Sequence, residues 1–136
     1  MIRAVLAALA GLGIAACAAA PPAEVVQPTS LVGTRWVGVV DGNPDPNTLP
    51  RIEFVTESRL AGYTGCNVMN GSWKVEGGVI RLGPIATTKR ACIGPGDLIE
   101  RRVTAAMSNG RIFREGRNLV FAGATERFVF APAEKN

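Results

Sequence analysis

Short segments of alternating apolar and polar residues, separated by turn residues, constrain the fold more than any other feature of this sequence. In segment 51–56, Ile52 and Phe54 fall on one face and charged residues on the other, which is the period of two expected of a half-buried strand. Similar segments lie at 34–40, 59–63, 71–76, 79–82, 111–115, 118–122 and 127–131. Gly77-Gly78 joins two of them and indicates a tight hairpin, because such turns require positive φ.

One segment has helical spacing instead. Asp97 is followed three residues later by Glu100, the spacing of a capping box, so we expect Asp97 at the N-cap. The next positions form one apolar stripe, made of Ile99, Val103, Ala106 and Met107, before Asn109-Gly110 ends the helix. We therefore predict a mainly β (α+β) fold, a curled or partly closed antiparallel sheet of about eight short strands with one covering α-helix.

Residues 1–16 predict an export signal. Arg3 precedes an apolar run of 13 residues, shorter than the roughly 20 needed to span a bilayer, and small residues precede Cys17. This pattern resembles the bacterial lipobox, so we predict that Cys17 is lipidated, with ordinary cleavage nearby as the alternative. The expected protein is exported and anchored by lipid to the bacterial membrane. We expect the outer membrane, facing the periplasm, because the residues after Cys17 lack the Asp that often retains enteric lipoproteins at the inner membrane.

The rest of the chain predicts one tethered domain. Residues 17–30 are rich in Ala and Pro and indicate an extended, solvated tether. Residues 31–132 then form a single small domain. Without the signal, 14 basic and 11 acidic residues remain, a balance that does not indicate nucleic-acid binding. We expect a monomer with no nucleic-acid partner.

Two cysteines remain once Cys17 is assigned to lipid. Cys66 and Cys92 would lie in a compartment where disulfides persist, so we predict that they are bridged, with two free buried thiols as the alternative. Closing a loop of this length would stabilise a small domain by roughly 3 to 4 kcal/mol.

Several motifs at fixed separation resemble one known family. They are Leu31-x-Gly33-Thr34-x-Trp36, Gly65-Cys66-Asn67, Gly71 and Ile85-Ala86-x-Thr88-x-x-x-Cys92. Together they resemble the META domain, also called HslJ-like, over residues 31–131, with Arg90 standing where the family often has an apolar residue. The resemblance implies a compact β-rich fold with one helix, often on an exported lipoprotein, and no established catalytic residues. It also implies a loose association with heat shock, antibiotic tolerance, motility or secretion.

The residue types that carry most catalysis are missing or scattered. The sequence contains no His, which removes the commonest general base and the commonest metal ligand. None of the four serines stands in a Ser-x-x-Lys arrangement, and the acidic residues are dispersed. We therefore predict no catalytic residues, no metal site and no cofactor, and that the protein is not an enzyme.

Two groups of residues are candidates for binding. Arg101, Arg102 and Arg111 could form a basic face for an anionic envelope polymer. The alternative is a solvated helix face whose arginines pair with nearby acidic residues. Asn67 lies beside Gly65 and could contact a ligand, although hydrogen bonding within a turn explains it equally well.

The aromatic residues leave two interpretations of the interior. They are most simply a core, but a curled sheet could instead enclose an apolar cavity. We predict a lipid-anchored cell-envelope protein with a non-enzymatic interaction or stress-protection domain, whose partner is an envelope protein or an anionic envelope polymer. The alternatives are a carrier of a small apolar ligand within the sheet and a modulator of another envelope protein.

Overall fold

A computed structural model describes residues 30–42 and 45–134. The predicted signal 1–16, Cys17 and nearly all of the tether 17–30 lie outside these residues. Within the described part of the chain, no helix is long and apolar enough to cross a membrane.

Eight antiparallel strands follow one another around a closed barrel. The strands are β1 (Arg35–Gly38), β2 (Arg51–Phe54), β3 (Arg59–Tyr63), β4 (Val68–Glu76), β5 (Val79–Thr87), β6 (Arg111–Glu115), β7 (Asn118–Ala122) and β8 (Arg127–Pro132). A 3-10 turn (Pro46–Thr48) joins β1 to β2, and one helix, α1 (Pro95–Met107), joins β5 to β6. The barrel closes where Val37 of β1 pairs with Ala131 of β8. The predicted strand count, antiparallel order and single helix are therefore confirmed.

Strands β4 and β5 are longer than the sequence predicted. The predicted segments 71–76 and 79–82 continue as one hairpin whose outer pairs reach Met69 and Thr87. A register shift between Gly71 and Trp73 places a bulge opposite them in β5. The bulge breaks the alternation of inward and outward side chains and accommodates Pro84 within the strand. The turn itself has positive φ at both glycines, 57° and 77°, as predicted.

Helix α1 begins two residues before the predicted N-cap. Gly94 is the N-cap residue, with a φ of 85° that favours glycine, and Pro95 is the first helical residue. Asp97 is therefore not the N-cap; it lies in the first turn and forms an ion pair with Arg101. A carboxylate there still stabilises the positive end of the helix dipole. The helix ends at Met107 with Ser108 as its C-cap, and Asn109, part of the predicted stop, follows with a φ of 50°.

The predicted apolar stripe of α1 faces the barrel, and its four residues are 0 to 5% exposed. The helix lies across the barrel end formed by the β1–β2, β3–β4 and β7–β8 connections, where two glycines let it approach. A Cβ at Gly65 would meet Ile99, and a Cβ at Gly123 would meet the backbone of Ala105. At the opposite end Leu31 is fully buried.

Candidate functional site

The barrel wall is weakest between β5 and β6. These strands pair only at Ile80 and Arg81, and the Leu82 N–H donates to the Gly110 carbonyl at 2.8 Å. Beyond this point β5 continues beside α1 without β6. The space between them, which we call the β5–α1 cleft, has a volume of about 470 Å³. Its lining includes Ile85, Thr87 and Lys89 from the β5 side and Glu100, Arg101 and Thr104 from the helix.

Asn67 connects the chain after β5 to the helix beside this cleft. Its side chain is 3% exposed, and its Oδ1 accepts hydrogen bonds from Thr88 Oγ1 at 2.8 Å and from the Arg90 N–H at 2.7 Å. Its Nδ2 donates to both carboxylate oxygens of Glu100, at 3.0 and 2.9 Å. All polar atoms of the side chain therefore have partners within the protein, and Asn67 positions the loop 88–92 against α1.

The disulfide lies against the same loop. Cys66 and Cys92 are bridged with a Cα–Cα distance of 6.0 Å, within the usual range, so the alternative of two free thiols is not what the structure shows. Both sulfurs come within 4.8 Å of a Glu100 carboxylate oxygen. Because thiolates, rather than bridged sulfurs, ligate metals, this cluster is not a metal site in the bridged form.

The three arginines of the predicted basic face do not lie together. Arg101 is exposed and lines the β5–α1 cleft. Arg111 lines a second depression of about 530 Å³, which shares Ser108 and Asn109 with the cleft. Arg102 lies elsewhere, where it pairs with Glu126 at 3.4 Å. Helix and barrel therefore bring two of the three to two adjoining depressions, which share Ser108 and Asn109 at the C-terminal end of α1 and which we together call the groove.

The structure also separates paired cations from unpaired ones. Arg101 is engaged by Asp97, and the Arg102 guanidinium lies 5.5 Å from the Phe128 ring centroid. Among the described residues, no carboxylate forms an ion pair with Arg111 or with Lys89. Lys89, which was not among the predicted binding residues, therefore joins Arg101 in lining the cleft.

Two other surface features were also missed. Ile93, in the loop after the disulfide, is 98% exposed, and Leu98 of α1 is 60% exposed. A third depression of about 340 Å³ crosses strands β1 to β3.

The signal that could have located the β5–α1 cleft was Gly83-Pro84 inside a strand-like segment, because proline in a strand marks a bulge or an edge.

Comparisons with known proteins agree with this architecture. The META domain family matches residues 29–135. A protein from Burkholderia xenovorans, solved by NMR, has a TM-score of 0.64 at 19% identity, with 93% of this chain and 100% of that chain covered. A second protein solved by NMR has a TM-score of 0.62 at 22% identity, with 78% and 94% covered. At these identities the two structures show the fold alone, and no curated protein matches. Because the family match covers the whole barrel and its helix, this chain belongs to the META domain family.

Proposed function

We propose that this protein is a lipid-anchored component of the bacterial cell envelope whose META domain binds a partner at its surface and performs no catalysis. The observation that carries the proposal is the filled barrel interior. The largest fully buried side chains include Trp73, Phe54, Phe121, Phe128 and Phe130. Side chains that fill an eight-stranded barrel leave recognition to the outer surface.

Ring contacts support this view of the interior. Phe54 and Trp73 meet edge to face with centroids 5.4 Å apart, and Phe121 and Phe130 do so at 4.9 Å. These are ordinary distances for packed aromatic pairs. The three depressions described above lie on the strands, the helix and their connections, so a surface interaction is favoured over an apolar carrier.

The place where the chain enters the barrel supports the view that a partner can reach the groove. The Gly33 N–H donates to the Phe54 carbonyl at 2.7 Å, which fixes the entering chain at the barrel end opposite α1. The tether from a lipid on Cys17 would therefore join the domain at that end, and the groove around α1 lies at the other end. A partner in the envelope could then reach the groove without competing with the membrane.

Non-enzymatic action is supported by the residues that the fold brings together. The sequence contains no His, and the two cysteines near Glu100 are joined to each other. Among residues 30–42 and 45–134, the β5–α1 cleft contains hydroxyl groups, cations and one carboxylate that Asn67 already engages. This set suits recognition better than nucleophilic or acid–base chemistry.

Replacement of Cys17 tests the anchor. Wild-type protein should sediment with membranes and show acyl mass at its N-terminus, whereas Cys17→Ser should be released by washing or stay unprocessed. Ala20→Ser is the matched control, because it adds the same hydroxyl nearby and should leave fractionation unchanged. A plain cleavage at another residue in wild-type protein would overturn the anchoring proposal.

Extraction of the purified protein tests surface binding against carriage. Denaturation of protein isolated from its native envelope should release no apolar molecule in stoichiometric amount, apart from the N-terminal acyl chains. One equivalent of a small apolar compound in the extract would contradict surface binding and favour the carrier.

A further inference from the structure

We propose that the free edge of β5 binds an extended acidic segment of a partner protein, which adds a strand in the β5–α1 cleft. The inference rests on the proposed function in that it names the chemistry of the surface partner. It does not depend on the lipid anchor, so the two proposals can fail separately.

Backbone direction places unpaired groups at this edge. The Thr88 N–H donates to the Val68 carbonyl of β4 at 3.0 Å. Because the backbone groups of successive strand residues alternate in direction, those of Ile85 and Thr87 point away from β4. In the described part of the chain, no strand pairs with β5 on that side beyond Arg81. A row of unpaired N–H and C=O groups is the template that strand addition uses.

The cleft has space for such a strand. Its volume of about 470 Å³ lies between the β5 edge and α1, and the depression of about 530 Å³ extends it past the helix end. An extended chain rises about 3.3 Å per residue, so a short segment can lie along Ile85 and Thr87 and continue toward Ser108. An incoming helix would leave the edge groups without hydrogen-bonding partners.

Charge selects an acidic segment. Lys89 and Arg111, which border the two halves of the groove, have no carboxylate partner among the described residues. Arg101, which Asp97 engages, lines the same cleft as Lys89, and the one carboxylate lining the cleft, that of Glu100, is held by Asn67. Alternate carboxylates on the added strand would therefore meet cations.

The same features disfavour a second copy of this chain as the occupant. Pairing two β5 edges would bring the Lys89 and Arg101 side chains of both copies close together, which is unfavourable. The bulge around Gly83 and Pro84 also shortens the regular edge, a device that limits edge-to-edge association. The edge remains open to a short complementary segment.

The test uses the mature chain with Cys17→Ser, labelled with ¹⁵N and with its disulfide intact. The probe is a six-residue peptide of alternating Val and Glu, compared with a Val–Lys peptide and with the Val–Glu peptide N-methylated at alternate residues. The Val–Glu peptide should shift the amide signals of Ile85 and Thr87 saturably and slow their hydrogen exchange. The lysine peptide should bind at least tenfold more weakly, and methylation should abolish binding because it removes the edge hydrogen bonds.

Charge reversal supplies the matched comparison. Lys89→Glu with Arg111→Glu should weaken binding of the Val–Glu peptide at least tenfold, whereas Arg59→Glu with Arg117→Glu, at the other end of the barrel, should not. If a variant loses the dispersed NMR spectrum of a folded protein, peptide binding to the parent protein is measured at increasing salt instead. Binding should then weaken as the charges are screened. Absence of shifts at Ile85 and Thr87 at millimolar peptide would overturn the proposal. Equal binding of the methylated peptide would also overturn it, because recognition would then be by charge alone.

Discussion

Replacing Asn67 by Asp tests whether this side chain holds the loop 88–92 to α1. The Nδ2 group donates to both carboxylate oxygens of Glu100, at 3.0 and 2.9 Å. In Asn67→Asp this donor becomes a second carboxylate oxygen, while Oδ1 keeps its hydrogen bonds from Thr88 and Arg90. The same Nδ2 group also donates to the Arg90 carbonyl at 3.3 Å and to Cys66 Sγ at 3.2 Å, so the change acts on the contacts of Asn67 with the loop as well as with the helix.

The expected loss follows from that geometry. A hydrogen bond to a charged group contributes about 1.5 to 3 kcal/mol, and two carboxylates about 3 Å apart repel by roughly 5 kcal/mol at an effective dielectric constant of 20. Partial proton uptake relieves some of the repulsion, so Asn67→Asp should lower the free energy of unfolding by about 3 to 5 kcal/mol at pH 7. The deficit should shrink as pH falls, because the folded variant binds a proton between its two carboxyl groups more tightly than the unfolded chain does.

Urea unfolding with the disulfide intact, followed by the fluorescence of Trp36 and Trp73, measures this loss. Asn70→Asp is the matched control, because it makes the same chemical change at an exposed position of β4 and should cost little. Adding Glu100→Gln to Asn67→Asp should restore most of the stability, since the Gln amide can donate to the new carboxylate. A deficit equal to that of Asn70→Asp, or no recovery in the double variant, would refute the role assigned to Asn67.

Removing the disulfide with Cys66→Ser and Cys92→Ser should cost about 3.5 kcal/mol in denaturant unfolding, because the bridge spans 26 residues; an unchanged midpoint would contradict this. Gly62→Ala should cost about 2 kcal/mol or more, because its Cβ would collide with a carbonyl oxygen of β2, and parental stability would disprove the close approach. Lys74, 2.7 Å from Glu76, lowers the pKa of that carboxyl by a hydrogen bond and then by its charge, so Lys74→Met should raise this pKa in an NMR titration. The associated stabilisation is present above the unfolded-state pKa and is lost as pH falls through the folded-state pKa; an unmoved titration would exclude the pairing.

The local pattern of residues in the sequence was sufficient to predict that this fold contains eight strands and one helix. The alternation of Ile52 and Phe54, the Gly77-Gly78 turn and the α1 stripe each depend on residues close together in the chain, where strand and helix periods act directly. The pairing of Cys66 with Cys92 also followed from the number of cysteines and the expected compartment. The prediction of Asp97 as the N-cap was wrong because Gly94 and Pro95 start the helix before it, although both residues are close to Asp97 in the chain.

Tertiary structure alone decided how these elements form a site. Closure of β1 on β8, the divergence of β5 from β6 and the contact of Asn67 with Glu100 join residues that are far apart in sequence. Residue periodicity carries no information about which distant groups meet, because that depends on barrel register and on where the helix crosses. For the same reason the sequence grouped three arginines by their proximity along the chain, whereas packing placed Arg101 and Arg111 around one groove and turned Arg102 toward Glu126.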